Sequence, residues 1–334
     1  MAPYSCTAAA RERAEPMFAT ASGVRRWLLV EVRGPWGHNA PLDSDLGDVV
    51  DAAWLDGLKG RGIRTITVRR NLCRTDGPAD VELIYVDPAV AGARPGRAWH
   101  QVVGSMDEVA AATAELAGVE RRGAPAGWLP WADPINLVCT NGRHDACCAT
   151  FGRPLVRHLR EGRWADVTWE SSHVGGDRFA ANLVVLPDSL YFGRCDPDAA
   201  EAVLAAHQQG RIHLPNYRGR STLGFAHQAA DYFVRTELGL DGIDDVGAIH
   251  RRTATDQPGS DVLDGTSTPL EFTVDTVAGP IEVRLTRDSH ESDVPITCKG
   301  PAGLSYPVYR LVSIRNPRPG AADRRAPTAP AGSG

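Results

Sequence analysis

The stretch that most constrains this chain is 135–148, "INLVCTNGRHDACC". The apolar run "INLVCT" (135–140) reads as a strand and puts Cys139 at its C-terminal end. Cys147 and Cys148 follow, beside Arg143, His144 and Asp145, so three of the chain's seven cysteines fall within ten residues. A helix is expected over 153–161, with Pro154 near its start and Leu155 and Leu159 on one face. Cys139 and Cys148 therefore bracket a loop between a strand end and a helix. Two thiols on such a loop can meet at one point, and Arg143 can lower their pKa. Cys147 and Cys148 are neighbours whose side chains diverge on a helix, so both are not expected to bind one iron in the same way.

A second stretch, "SSHVGGDRFAAN" (171–182), supplies further donors. It follows the strand "ADVTWES" (165–171). Its glycine pair at 175–176 permits a turn that side-chain-bearing residues resist, bringing His173 and Asp177 to one side. Imidazole binds iron and carboxylate binds it less well. Each residue also has a bland use: buried core thiols, a hydrogen-bonded histidine, and an Asp177 that pairs with Arg178 or caps a turn.

The rest of the pattern is α/β. "RRWLLVEVRGPWG" (25–37) holds a strand stopped by Gly34-Pro35. Residues 44–59 look helical, and "RTITVRR" (64–70) and "VELIYVD" (81–87) look like strands. Ser105 followed by Glu108 forms a capping box that opens a helix over 106–118. "NLVVLPDSLYFGR" (182–194) reads as a hairpin. Asp196-Pro197 starts a helix that Gly210 ends, and another helix spans 222–238. From 135 to 210 the order is strand, helix, strand, loop, strand, strand, helix, which is that of a thioredoxin-like domain. No internal repeat is visible, residues 1–120 read either as a degenerate thioredoxin-like partner or as a docking surface, and "GLKGRG" (57–62) does not follow a strand as a nucleotide loop must.

These elements divide the chain into an N-terminal α/β domain (1–120), a Gly- and Pro-rich linker (121–134), a thioredoxin-like domain (135–240), a β-rich extension (241–316) and a disordered tail (317–334). The length of 334 residues fits two domains and a smaller third. A net charge of −5 with scattered basic residues gives no reason to expect a nucleic-acid partner. No apolar run reaches the ~20 residues of a membrane span, and the N-terminus does not read as a secretory signal. The expected compartment is the cytoplasm, where a cysteine cluster means metal or redox chemistry more often than a structural bridge. Cys6, Cys73, Cys195 and Cys298 are dispersed and read as isolated thiols.

Taken together, "CTNGRHDACC", "SSHVGGDRFAANLVVLPDSLYFGR", "YRGRSTLGFAHQAA" (217–230) and the N-terminal "WLLVEVRGPWG" resemble the sucrase/ferredoxin-like family. The resemblance covers most of residues 1–238. It implies a thioredoxin-like ferredoxin domain holding one [2Fe–2S] cluster on two cysteines and two histidines of a His-x-x-x-His loop. Carried over, the ligands are Cys139, Cys148 and His173, and position 177 holds Asp177 instead of the second histidine. The fourth donor is then Asp177 itself, Cys147, a water or His144, unless this branch binds its cluster differently or not at all.

Histidine ligation makes a cluster easier to reduce than four thiolates do, and an aspartate ligand would pull the potential back down. The resemblance thus implies an electron carrier or redox sensor with a redox partner protein. Other readings are a cluster-free thioredoxin-like thiol protein, a zinc site on the same four residues, and a sugar hydrolase. The last would need two carboxylates about 5–10 Å apart, and none is evident near the motifs. Arg218 and Arg220 read either as a solvated basic turn or as a patch that offsets cluster charge or receives an acidic partner.

Overall fold

A computed structural model describes residues 3–70, 80–88, 96–118, 123–252, 269–316 and 324–325. The first half runs α1 (Cys6–Glu12), β1 (Arg26–Glu31), α2 (Ala52–Gly60), β2 (Ile63–Arg69), β3 (Val81–Asp87), β4 (Arg97–Val103), α3 (Val109–Thr113) and β5 (Leu129–Trp131). The second runs β6 (Ile135–Cys139), α4 (Ala146–Glu161), β7 (Thr168–Ser171), β8 (Leu183–Leu186), β9 (Leu190–Phe192), α5 (Pro197–Gln208), β10 (Tyr217–Arg220) and α6 (Phe225–Leu238). An antiparallel sheet closes the chain: β11 (Val246–Arg251), β12 (Leu270–Thr276), β13 (Gly279–Glu291), β14 (Ser305–Arg315) and β15 (Arg324–Arg325). Of the tail at 317–334 only Arg324 and Arg325 are described, paired with Ile314 and Ser313; the rest lies outside the described residues.

Strands β1 to β10 form one sheet in the order β10-β9-β8-β6-β7-β2-β1-β3-β4-β5. The order reveals a duplication that the residues hide. In the first half β1 pairs β2 in parallel and β3 antiparallel, and β3 pairs β4 antiparallel. In the second half β6 pairs β7 in parallel and β8 antiparallel, and β8 pairs β9 antiparallel. Each half also places a helix between its two parallel strands. The halves meet where β2 pairs β7 antiparallel, with Val68 opposite Ser171 and Arg69 opposite Glu170. Glu170 accepts from Arg69 across that junction at 3.2 Å. Residues 121–134, read as a linker, include β5, which extends the sheet beside β4.

Side-chain alternation sends successive residues to different cores. Val138 packs under α4 and α5 with Leu155, Leu159, Val203 and Leu204. Its neighbours Leu137 and Cys139 face a core that draws on both halves, with Trp27, Leu29, Ile66, Trp169 and Tyr191. Leu28 and Val30 pack with Leu58 and Val109 beneath α2 and α3. Helix α6 buries Ala226, Ala229 and Val234 against Phe272, Val283 and Leu285 of the second sheet.

Three local expectations change. The helix expected at 153–161 begins at Ala146, where Asp145 caps it by accepting from Cys147 N at 2.8 Å. Pro154, read as a start signal, is interior. The residues 44–59 split into a 3₁₀ turn at Asp45–Asp48 and helix α2, capped by Asp51. The capping box does not close: Ser105 makes no side-chain cap bond, Glu108 accepts from Gly104 N instead, and the helical region breaks into short 3₁₀ and α pieces.

Candidate metal centre

Cys139 sits on the last residue of β6, and Cys147 and Cys148 sit on the first turn of α4. The helix lies so close to the strand that a side chain at Gly152 would meet the Cys139 carbonyl oxygen at 2.1 Å. His173 follows β7. Gly175 and Gly176 then take φ of +101° and +81°, values that favour glycine, and return the chain to the 3₁₀ turn Asp177–Phe179. Arg218 holds this loop from beneath. Its guanidinium donates to Gly175 O at 2.9 Å, Asn182 Oδ1 at 2.7 Å and Thr20 Oγ1 at 3.0 Å. From the first half, Arg64 donates to His173 O at 2.7 Å. Arg218 and Arg220 are only 1% and 3% exposed, so they form neither a solvated turn nor a surface patch. Arg218 is a buried strut, and Arg220 donates to Ile243 O.

The donor atoms of Cys139, Cys148 and His173 lie within 4.8 Å of one another. His144, His173 and Asp177 form a second such group, which shares His173 with the first. Asp177 Oδ1 lies 3.1 Å from Cys148 Sγ and 2.9 Å from His173 Nδ1. Its other oxygen lies 3.9 Å from His144 Nε2. The rings of His144 and His173 stack at 3.7 Å, and His38 of the first half stacks on His144 at 4.6 Å. The three histidines line a cavity of about 870 Å³ whose wall also carries Arg25, Lys59 and Arg64. Cys147 turns away and meets Cys6 and Cys298. Cys195 is buried elsewhere, donating to Gly193 O, and Cys73 lies outside the described residues.

The electrostatics are those of a buried cluster of opposed charges. The Cys148 thiol, donating to Cys139, holds the Cys139 thiol down at about 5 against burial, with help from His173. The same thiolate pushes Cys148 well up, and burial and Asp177 add to this. Burial opposes charge on His173, but Asp177 and Cys139 outweigh it and raise the imidazole to about 9. Burial likewise opposes charge on Asp177, yet His173 keeps it below the usual carboxylate range. Burial and the neighbouring His173 charge hold His144 below its ordinary value. Two negative groups thus share one positive group in a buried space, leaving a surplus that favours a cation. His173 Nδ1 is buried and makes no aligned hydrogen bond. Two sulfurs, an imidazole and a carboxylate suit a soft or borderline metal.

A family model described as sucrase/ferredoxin-like matches residues 17–219. The chain belongs to the sucrase/ferredoxin-like family. No curated protein and no solved structure matches it. The span that carries the family includes both halves of the large sheet up to β10 and leaves α1, α6 and the second sheet outside it. Cys139, Cys148, His173 and Asp177 all fall within it. His38 also falls within it and was not legible as part of the site, because it comes from the other half of the sheet. Arg218 falls within it too; the charge-offset reading points to the site, but its role as the buried strut beneath the loop was not legible. Among the described residues no helix is long and apolar enough to cross a membrane.

Proposed function

We propose that the chain carries one [2Fe–2S] cluster and serves as a one-electron carrier or redox sensor. The observation that carries this reading is the convergence of the Cys139, Cys148 and His173 donor atoms within 4.8 Å. Cys139 and Cys148 would take one iron and His173 the other. Asp177 stands nearest as the fourth donor, with His144 stacked on His173 beside it. When bound, such a cluster takes up and releases single electrons.

The chain's own residues tune that exchange. Neutral imidazole in place of thiolate lowers the negative charge at the centre, and Asp177 returns part of it. Arg218 and Arg64 fix the loop, so the donor geometry need not reorganise when the charge changes. The side chains of His144 and His173 are 25% and 24% exposed, on the cavity side. An electron partner protein would approach there, and the His38–His144–His173 stack can exchange protons with solvent. The pairing pattern of β6, β7, β8 and β9 supports a thioredoxin-like ferredoxin half.

The test is analysis of the purified full chain for iron and acid-labile sulfide, with electron paramagnetic resonance of the dithionite-reduced protein. About two irons and two sulfides per chain, with a reduced-state signal, are expected. Colourless protein with zinc or nothing at Cys139 and Cys148 would overturn the reading.

A further inference from the structure

The structure gathers a second donor set that no sequence spacing announces. Cys6 of α1, Cys147 of α4 and Cys298 of the loop between β13 and β14 converge on Asp145, all donor atoms within 4.8 Å. Cys147 Sγ lies 3.4 Å from Cys298 Sγ, which lies 3.6 Å from Cys6 Sγ. Cys6 Sγ lies 3.7 Å from Asp145 Oδ1. Zinc–sulfur bonds of about 2.3 Å in a tetrahedron separate sulfurs by about 3.8 Å, and a sulfur from an oxygen ligand by about 3.6 Å. The observed separations are therefore close to the edges of such a tetrahedron.

We propose that these four residues bind a structural zinc ion, Cys6, Cys147 and Cys298 supplying thiolates and Asp145 one carboxylate oxygen. Asp145 is already oriented for this. It accepts from Cys147 N at 2.8 Å and from Cys298 N at 2.7 Å, and each oxygen keeps a lone pair. Cys147 stands on the first turn of a sixteen-residue helix, whose positive end favours a thiolate, and Ser5 Oγ lies 3.3 Å from its sulfur. Cys6, Asp145 and Cys147 are 0%, 1% and 3% exposed and Cys298 is half-buried, so the site is largely enclosed, as structural zinc sites are. Binding sends the thiol protons to solvent and changes no oxidation state.

Cys6 and Cys298 lie outside the span 17–219 that carries the family, so this site does not follow from the family's cluster. It would clip the N-terminal helix and the second sheet, 292 residues apart in sequence, onto the helix that bears Cys148.

Zinc, iron and sulfide are measured together in full-length protein purified with its cluster. About one zinc per chain is expected, with zinc-edge X-ray absorption showing three sulfurs near 2.3 Å and one light atom near 2.0–2.2 Å. Cys298→Ser and Cys6→Ser should each lose most of the zinc and keep iron and visible absorption. Cys148→Ser should do the reverse. Cys298→His, which restores a zinc ligand, should regain zinc even if the serine variants fold poorly. Zinc retained in both serine variants, zinc lost in Cys148→Ser, or metal-free wild type with Cys147 and Cys298 joined in a disulfide by mass would each overturn the assignment. Because the iron arm is read separately, failure here leaves the cluster reading standing, and the converse also holds.

Discussion

Asp177→His is the substitution that most directly probes the proposed cluster. Asp177 is 4% exposed and its carboxylate lies 3.1 Å from Cys148 Sγ. It therefore places one negative charge about 5 Å from the middle of any group held by Cys139, Cys148 and His173. At an effective dielectric of about 20, a unit charge at that distance changes the energy of an added electron by about 3 kcal/mol. For a one-electron couple that is roughly 130–140 mV. The change removes the charge and keeps a ligand, so the midpoint potential should rise by on the order of 100 mV. A spectroelectrochemical titration at fixed pH and salt reads the shift. Asp177→Asn separates charge from ligation: a rise with the cluster retained means Asp177 acts through space, and loss of iron means it is a ligand. A potential unmoved by either substitution, with the cluster intact in both, would refute the placement of the redox centre beside Asp177.

Gly152→Ala forces a methyl group against the Cys139 carbonyl at 2.1 Å, so α4 must lift off β6. Thermal unfolding should show a loss of about 1–3 kcal/mol, and iron content should fall because the Cys139–Cys148 gap widens; unchanged iron loading would count against the site geometry. Arg218→Met strands the Gly175 and Thr20 carbonyl oxygens that Arg218 serves, which should cost about 3 kcal/mol in denaturant titrations, with the loss of iron exceeding that in Arg64→Met. In metal-free protein His173 is raised to about 9. A raised folded pKa stabilises fully below the unfolded value of about 6.5 and loses that contribution as pH rises through about 9. Cys139, depressed to about 5, works in the opposite sense, so the comparison that matters is with Asp177→Asn, which removes the leading support of the histidine charge. Chemical unfolding followed by circular dichroism should show the wild type losing more stability than the variant between pH 6.5 and 9; parallel profiles would exclude the His173–Asp177 pair as the source.

Elements with strong local signals were legible. The β-branched runs became β2 and β3, the run ending at Cys139 became β6, and the Asp196-Pro197 start gave α5, capped by Asp196 accepting from Ala199 N. The proline start rule served α5 and misled at α4, because Pro154 is interior and the better signal was Asp145, hidden among candidate metal donors. That Cys139, Cys148 and His173 come together could be read from two short stretches because strand ends and glycine turns act locally, while their choice as ligands rested on the family resemblance. Cys6 and Cys298 could not be, since sequence spacing carries no information about a contact made 292 residues away. The duplication was legible only as one of two readings of residues 1–120, a degenerate thioredoxin-like partner or a docking surface, for a related reason. The halves share pairing order and not residues: β1 and β6 occupy equivalent places as "RWLLVE" and "INLVC".

That shared sheet has a consequence for how the molecule can be divided. The only link between the two sheet halves by strand pairing, among the described residues, is β2 against β7, and both strands lie mid-sheet. Cutting the chain near 121–134 would bare a raw backbone margin on each fragment, a surface prone to recruiting stray chains. It would also strip His38 and Arg64 from the piece that carries Cys139, Cys148 and His173. The second half is thus no portable module: its twin covers the mid-sheet margin of β7 that would otherwise lie bare.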